Sequence, residues 1–217
     1  MPWLLAMVLL LASAAGAAAP MPGADYRVLD HPAPVGGDGP GVEVAEWFWY
    51  GCPHCYRFDP ELRAWVKKMG DRIHLVRLPA VARQSWQPMA AAFLIARRTG
   101  HLDQVHTAFF DAIHKGGKSP YKFAWARKRL ERLGVSAKRW KELLHSDWMQ
   151  SQGKRLERLE QAHGVRAVPT LVIQGRYVVS NRMVGSHQRM LEVAKALVDR
   201  IRSSGSGGAG GDGGGKP

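Results

Sequence analysis

The sequence VEVAEWFWYGCPHC, residues 42 to 55, decides the fold. Its first nine residues are β-branched and aromatic and are bounded by glycines, a composition that predicts a buried strand. Pro53 stands where a first-turn proline would, and apolar residues then recur at helical spacing as far as Met69. The local unit is therefore a strand, a two-cysteine motif and a helix.

Strand and helix patterns on either side of this unit predict an α/β fold with an inserted helical lobe. A second strand is expected at Ile73–Leu78, a hairpin at Leu171–Ile173 with Tyr177–Val179, and a closing helix at about His187–Ile201. The two β portions can share one sheet only if the helical segment between them, residues 86–162, stands out as a lobe. Its predicted helices are Met89–Arg98, Leu102–Ile113, Tyr121–Leu133, Ala137–Leu144 and Ser146–Gln161.

The two ends of the chain have other compositions. Residues 1–19 hold an apolar run followed by small residues, which predicts a secretory signal peptide, although no Lys or Arg precedes the run and a retained membrane anchor stays open. Residues 20–41 are rich in Pro and Gly and are interpreted as an N-terminal arm. Residues 203–217 are rich in Gly and Ser and are predicted to be a disordered tail.

The formal net charge of +13, with a sequence pI near 10.2, indicates attraction to anionic partners. Nucleic acid, acidic client proteins and membrane surfaces all fit this charge. Secretion would remove nucleic acid as a partner, so the charge is expected to bias client choice or association with a membrane surface.

The two cysteines are separated by only two residues, so they cannot link distant parts of the chain as structural disulfides do. The N-terminus of a helix stabilises negative charge, which predicts that Cys52 is an exposed nucleophile with a lowered pKa and that Cys55 is more shielded. Pro53 fixes the first helical turn, and His54 can add positive charge near the thiolate. A stabilised thiolate favours the reduced form, and this is the property of an oxidant.

Two other uses of the cysteines are disfavoured. A Cys-x-x-Cys pair can hold half of a tetrahedral zinc site, but no second cysteine pair exists and the histidines offer only His101 and His106 at ligand spacing, so no metal site is predicted. An inert buried pair is equally disfavoured, because Cys52 is expected at a strand-to-helix junction where sulfur is exposed.

Two segments of the chain resemble the DsbA family of thiol-disulfide oxidoreductases, within the thioredoxin superfamily. They are residues 46–58, EWFWYGCPHCYRF, and residues 164–171, GVRAVPTL. The resemblance implies a thioredoxin-like domain formed by residues 42–85 and 163–202, with the helical insertion at residues 86–162.

The resemblance also assigns further site residues. It implies a cis peptide bond at Val168-Pro169 that faces Cys52 and offers backbone groups to a substrate, and it matches Glu46 to a buried acidic residue that assists proton transfer from the inner cysteine. From the residues alone, a trans proline at a strand edge is the better expectation. A carboxylate paired with either Arg72 or Arg77 fits Glu46 as well.

The expected function is that of a monomeric periplasmic enzyme that donates its Cys52–Cys55 disulfide to reduced client proteins and needs no cofactor. By resemblance, a quinone-linked membrane oxidase of the DsbB type would reoxidise it. A reductase or isomerase of the same fold and a non-catalytic peptide-binding module remain the alternatives.

Overall fold

The computed structural model describes residues 19–37 and 39–206 and contains one five-stranded mixed sheet in the order β1-β5-β4-β2-β3. The central strand, β2, is buried along its whole length. It runs parallel to β3 and antiparallel to β4. The strands are β1 (Arg27–Val28), β2 (Val42–Phe48), β3 (Ile73–Pro79), β4 (Thr170–Ile173) and β5 (Tyr177–Ser180).

Alternate residues of β2 face two separate apolar clusters because side chains of a strand point to opposite faces. Val44 packs into one cluster, which α1 (Pro53–Met69) and α8 (His187–Ser206) cover. Ala45 packs into the other, which is covered by the helices inserted between β3 and β4. Helices cover both faces of the sheet, as the near-continuous apolar sequence of β2 requires.

The inserted segment contains five α-helices, and their positions agree with the predicted helical patterns to within a few residues. The largest differences are at the predicted helix from Tyr121 to Leu133, which begins at Ala124 and ends at Glu131. The helices are α2 (Gln87–Arg98), α3 (Leu102–His114), α4 (Ala124–Glu131), α5 (Ala137–Leu144) and α6 (Asp147–Ala162); α7 (Asn181–Val184) follows β5. These bounds show the expected thioredoxin-like α/β fold with an inserted all-helical lobe.

The N-terminal arm packs against the domain. Its β1 pairs antiparallel with β5, and Tyr26, Leu29 and Val35 are buried. The Glu43 carboxylate accepts hydrogen bonds from the backbone N–H groups of Val35 and Gly36 at 2.7 and 2.8 Å. The arm, although rich in Pro and Gly, is therefore bound to the rest of the domain, and its strand β1 forms one edge of the sheet.

Two of the expected terminal segments fall mostly outside the described residues. The predicted signal peptide lies there except for Ala19, and so does the predicted tail beyond residue 206. The start of that tail is helical, because α8 continues as far as Ser206, five residues beyond the predicted end of the helix. Within the described residues, no helix is both long and apolar enough to cross a membrane.

Candidate active site

Cys52 lies at the junction between the central strand and the first helix. It is the N-cap residue of α1, and its Sγ accepts a hydrogen bond from the backbone N–H of Cys55 at 3.5 Å. Pro53 is the first helical residue, where its missing N–H costs no helical hydrogen bond. The free N–H groups and the dipole of the helix therefore converge on the Cys52 sulfur.

The prediction that the Cys52 sulfur is exposed is wrong. Only 8% of Cys52 is exposed, against 0% of Cys55. The residue belongs to the apolar cluster beneath the inserted helices, and the Val168 carbonyl lies 3.5 Å from its Sγ. The loop that contributes Val168 is distant in sequence, so the strand-to-helix junction alone gave no sign of this cover. Cys52 is nevertheless the more accessible of the two cysteines.

The two thiols have opposite pKa shifts. The pKa of Cys52 is lowered to about 6, mainly by a hydrogen bond from the Cys55 thiol, with smaller contributions from the backbone N–H groups of Cys55 and His54 and from the charge of His54. Burial opposes this effect without cancelling it. Burial raises the pKa of Cys55 well above its usual value, and the neighbouring Cys52 raises it further. Near neutral pH the outer sulfur is a thiolate and the inner one a thiol.

His54 is exposed on the first turn of α1. Its Nδ1 lies 3.2 Å from Nη2 of Arg57, one helical turn further along. The side chains of His54 and Arg57 therefore stand together at the open face of the motif, and the lowered pKa of Cys52 owes smaller contributions to the backbone N–H and the charge of His54.

The loop before β4 closes over the motif. The Val168-Pro169 peptide bond is cis, and Val168 O is the acceptor that faces Cys52 Sγ. The Thr170 hydroxyl donates to Ala167 O at 2.7 Å and braces the loop from its other side. The structure thus brings Val168 and Pro169 together with the cysteines across 116 residues of sequence.

Glu46 lies on β2 and is almost fully buried. Of the two candidate partners, Arg77 is the one that pairs with it, donating from Nε to Oε2 at 3.1 Å, because Arg77 stands opposite Glu46 on the parallel strand β3. Arg72 instead pairs with Asp199 on α8. Burial raises the pKa of Glu46 to about 7 against the opposing charge of Arg77, and Oε1 has no hydrogen-bond partner among the described residues.

A buried polar network that the sequence analysis missed continues from Arg77. Arg77 Nη2 lies 3.5 Å from Asp59 Oδ1, and Nε2 of His106 lies 3.5 Å from the same oxygen. The Tyr50 hydroxyl contacts His106 Nδ1 at 2.9 Å. With the proton of the imidazole on Nε2, facing the carboxylate, Nδ1 accepts from the hydroxyl.

The network joins three elements beneath the motif, and its charges are set by burial and pairing. Burial lowers the pKa of His106, so the ring is neutral at pH 7. Burial acts to raise the pKa of Asp59, but contact with His106 and the charges of Arg77 and Arg63 keep that pKa below its usual value. One signal in the sequence could have found Asp59: it follows Cys55 by four residues, on the apolar face of a helix where a carboxylate needs a partner.

The two cysteine sulfurs are the groups of the site that can react with a thiol or a disulfide. Among the described residues, no group of three or more His, Cys, Asp or Glu side chains is placed to hold a metal ion. Both cysteines are free, and two residues separate them across one helical turn, a spacing at which a dithiol can close into a disulfide.

Comparison with known proteins agrees with this geometry. A family model described as a DSBA-like thioredoxin domain matches residues 72–198, more than half of the chain. The chain is 34% identical over 204 residues to the thiol:disulfide interchange protein DsbA of Pseudomonas aeruginosa, covering 93% of this chain and 95% of the relative. It is also 34% identical over 188 residues to the DsbA of Burkholderia cepacia, covering 87% of this chain and 89% of the relative.

Solved structures give the same result. The crystal structure of P. aeruginosa DsbA matches with a TM-score of 0.76 at 33% identity, over 85% of this chain and 95% of that one. The oxidoreductase DsbA from Xylella fastidiosa matches with a TM-score of 0.78 at 28% identity, over 85% of this chain and 98% of that one. The dithiol at the N-terminus of α1, the fold and the similarity to these relatives agree. The chain belongs to the DsbA family and is a thiol-disulfide oxidoreductase.

Proposed function

We propose that the protein is an oxidant that donates a Cys52–Cys55 disulfide to reduced client proteins. The observation that supports this direction is the opposition between the two thiol pKa values, about 6 for Cys52 and far higher for Cys55. A thiolate at Cys52 stabilises the reduced protein, and by linkage the disulfide form gives up its oxidising equivalents readily.

The exchange runs in two steps with all sulfur bonds accounted for. A client thiolate attacks Cys52 Sγ, the Cys52–Cys55 bond breaks, and Cys55 leaves with the electron pair and takes up a proton. A second client thiolate then attacks the client sulfur of the mixed disulfide, and Cys52 leaves as the stabilised thiolate. The client loses two electrons and gains one disulfide, and the protein is reduced to its dithiol.

The residues around the two cysteines support this exchange by stabilising the Cys52 thiolate or by holding the client. Pro53 fixes the first turn of α1, so that the N–H groups point at Cys52, and His54 adds charge that favours the thiolate. The cis loop at Val168 and Pro169 offers backbone groups to an extended client on the same side as Cys52. These roles rest on the contacts at the helix N-terminus and at Val168 O.

Glu46 is the buried carboxyl group that exchanges a proton with Cys55: it gives the proton when Cys55 leaves and accepts it when Cys55 attacks. Its pKa of about 7 lets it exist in both protonation states near neutral pH, and its charge raises the pKa of the Cys55 thiol. Replacing Glu46 with Gln should slow the steps in which Cys55 loses or gains its proton severalfold and flatten their pH dependence around pH 7. A quenched-flow time course of the mixed disulfide checks this, and an unchanged pH profile would remove the role.

The expected setting is the periplasm, reached through cleavage of the leader at residues 1–19. There a membrane partner of the DsbB type, linked to quinone, would reoxidise the dithiol, and the protein would act as a monomer. The match to the DsbA proteins of Burkholderia cepacia and Pseudomonas aeruginosa supports this setting. No cofactor of the protein itself enters the scheme.

Two assays run on the same preparation separate oxidant from reductase. The oxidised protein, in stoichiometric excess, should restore activity to reduced RNase A faster than a glutathione buffer alone, whereas reduction of insulin by dithiothreitol should gain little from it. Faster insulin reduction than RNase oxidation would contradict the proposal and favour the reductase or isomerase. Refolding of scrambled RNase A, which needs isomerisation, separates these last two.

A further inference from the structure

A cavity of about 360 Å³ lies beside the cis-proline loop, between that loop and the segment that follows β5. Three arginines line it, together with Thr170, Ser180 and Met183, and within the described structure its lining includes no Asp or Glu. The arginines are Arg27 from β1, Arg166 from the loop and Arg182 from α7.

Backbone carbonyls hold the first of the three cations in place. Arg27 Nη2 donates to His163 O at 2.8 Å and to Gly164 O at 3.1 Å. The guanidinium lies directly over Gly164, where an added Cβ would come within 2.9 Å of Nη2. Carbonyl dipoles orient this charge, but no carboxylate neutralises it.

The other two cations are exposed and unpaired. Across residues 19–37 and 39–206, the guanidinium groups of Arg166 and Arg182 form no hydrogen bond or ion pair, whereas Arg77 and Arg189 each contact a carboxylate. Three cations around one concave opening produce a local positive potential that attracts anions.

The two sides of the loop differ in charge. The cavities on the opposite side, toward α6, are lined by Glu157 and Glu160 together with Arg83 and Arg166. An extended client that crosses the loop therefore meets arginines without carboxylates on the β5 side and a mixture of the two on the α6 side.

The cavity is within reach of a client that is reacting with Cys52. Ala167 and Thr170 line it, and they flank Val168 and Pro169, with Val168 O lying 3.5 Å from Cys52 Sγ. An extended chain advances roughly 3.3 Å per residue. A side chain about two to four positions from the reacting cysteine of the client therefore reaches the arginines.

We propose that Arg166 and Arg182, together with Arg27, form a subsite for a client carboxylate, and that the enzyme prefers clients with Asp or Glu two to four residues from the reacting cysteine. A guanidinium matches a carboxylate through two parallel N–H donors, which a neutral amide cannot equal. This specificity rests on the proposed function, because it describes clients that react at Cys52.

The test uses dithiol peptides that differ at one position, three residues from the cysteine, where they carry Glu, Gln or Lys. Stopped-flow tryptophan fluorescence gives the second-order rate constant for reduction of the oxidised full chain by each peptide. We expect the Glu peptide to react about threefold to tenfold faster than the Gln peptide, and the Lys peptide to react more slowly than either. This ratio should fall toward one in the R166Q/R182Q variant and in 0.5 M NaCl.

A matched control separates the subsite from overall charge. K67Q/K68Q removes the same charge from exposed residues at the far end of α1, about 22 Å along the helix from Cys52. Its Glu-to-Gln ratio should equal that of the wild-type protein. The single variants R166Q and R182Q should each give an intermediate ratio, and they replace the double variant if it does not fold.

Two outcomes would overturn the subsite. The ratio could survive in R166Q/R182Q, or it could fall equally in K67Q/K68Q. An unchanged ratio together with lost binding to phosphatidylglycerol vesicles would assign the arginines to a membrane surface instead. Wild-type protein that oxidises none of the three peptides would contradict the proposed function, which is a different failure.

Discussion

The outer and inner ends of the cysteine motif lie one helical turn apart but in opposite surroundings. At the outer end, Cys52 receives backbone N–H groups, the charge of His54 and a thiol hydrogen bond, and its pKa is about 6. At the inner end, Cys55 is wholly buried above Glu46 and has a strongly raised pKa. The outer environment stabilises an anion and the inner one opposes it.

The difference shows that the redox centre depends both on local sequence and on packing between distant parts of the chain. The helix terminus that stabilises Cys52 comes from residues 51–55 and is therefore local. The burial of Cys55 comes from an apolar cluster assembled from distant parts of the chain, including Phe93 of α2 and Phe110 of α3. The hydrogen bond from the Cys55 thiol to Cys52 joins the two ends, so a change at one end should alter the other only through that contact.

The largest effect is expected from removing one sulfur at a time. Cys52→Ser should lose essentially all turnover, because the attacked atom is gone. Cys55→Ala should keep a reactive Cys52 and accumulate mixed disulfides with clients, visible as added mass in intact-protein mass spectrometry. A Cys52→Ser variant that keeps full biological activity by binding alone would favour a peptide-binding module.

The inner end can be broken without touching a cysteine. Arg77→Met leaves the buried Glu46 carboxylate without its cation and should lower the free energy of unfolding by about 3 kcal/mol at pH 8. The loss should be smaller at pH 5. The pKa of Glu46 is about 7 in the wild-type protein and rises further when Arg77 is removed, so at pH 5 the carboxyl group is protonated and needs no cation. Stability provided by such a raised pKa is present below the unfolded value and lost as pH rises through the folded one.

Urea titrations at the two pH values check the Arg77→Met prediction. Arg63→Met is the matched control, because Arg63 pairs with Asp59 at 3.0 Å but its side chain is half exposed. It should cost less than about 1 kcal/mol. Equal losses in the two variants would mean that burial does not distinguish the inner ion pairs from the outer one.

At the outer end, the lowered pKa of Cys52 should make the stability of the reduced protein depend on pH differently from that of the oxidised protein. The thiolate exists only in the reduced form, and its folded pKa of about 6 lies below the ordinary value of 9.0. Its stabilisation is therefore complete above pH 9 and lost as pH falls through 6. The stability of the reduced form relative to the oxidised form should increase by about 2 to 3 kcal/mol between pH 5 and pH 8.

Thermal or urea unfolding of both redox forms across this pH range measures the difference. Glu46 titrates in both forms, so its effect largely cancels in the comparison. A difference that does not change with pH would contradict the lowered pKa of Cys52.

The smallest effect ranks the contributions at the outer end. Cys55→Ala should raise the pKa of Cys52 by about one unit, because it removes the largest stabilising hydrogen bond, and His54→Ala should raise it by less. Thiolate absorbance in the ultraviolet, followed against pH, gives both values. The reverse order would make the charge of His54 the main cause.

Local sequence predicted the parts of the fold that depend on neighbouring residues. Strand β2, the start of α1 at Pro53 and the hairpin of β4 and β5 follow from composition, spacing and a turn at Gly175, which has a positive φ of 60°. Helix ends were harder to predict where no capping side chain marks them. The helix predicted from Tyr121 begins three residues later, at Ala124, and its N-cap residue makes no side-chain capping hydrogen bond.

Long-range contacts explain what the sequence could not show. Two residues, Arg27 and Val28, form an edge strand only because β5 lies beside them, and no period can appear in so short a segment. His106 reaches Tyr50 across 56 residues, and its helix spacing shows only that it lies on an apolar face. The cover over Cys52 depends in the same way on Val168, which is distant in sequence.

The narrow opening above Cys52 has a consequence for when the enzyme can act. A sulfur of which so little is accessible cannot meet a cysteine on a rigid surface, since the surrounding backbone would collide with the loop at Val168 first. The partner cysteine must arrive on a strand free to extend into the opening. Under the proposed function, we therefore expect a client cysteine to react while its segment is mobile and to stop reacting once folding has withdrawn that segment from solution.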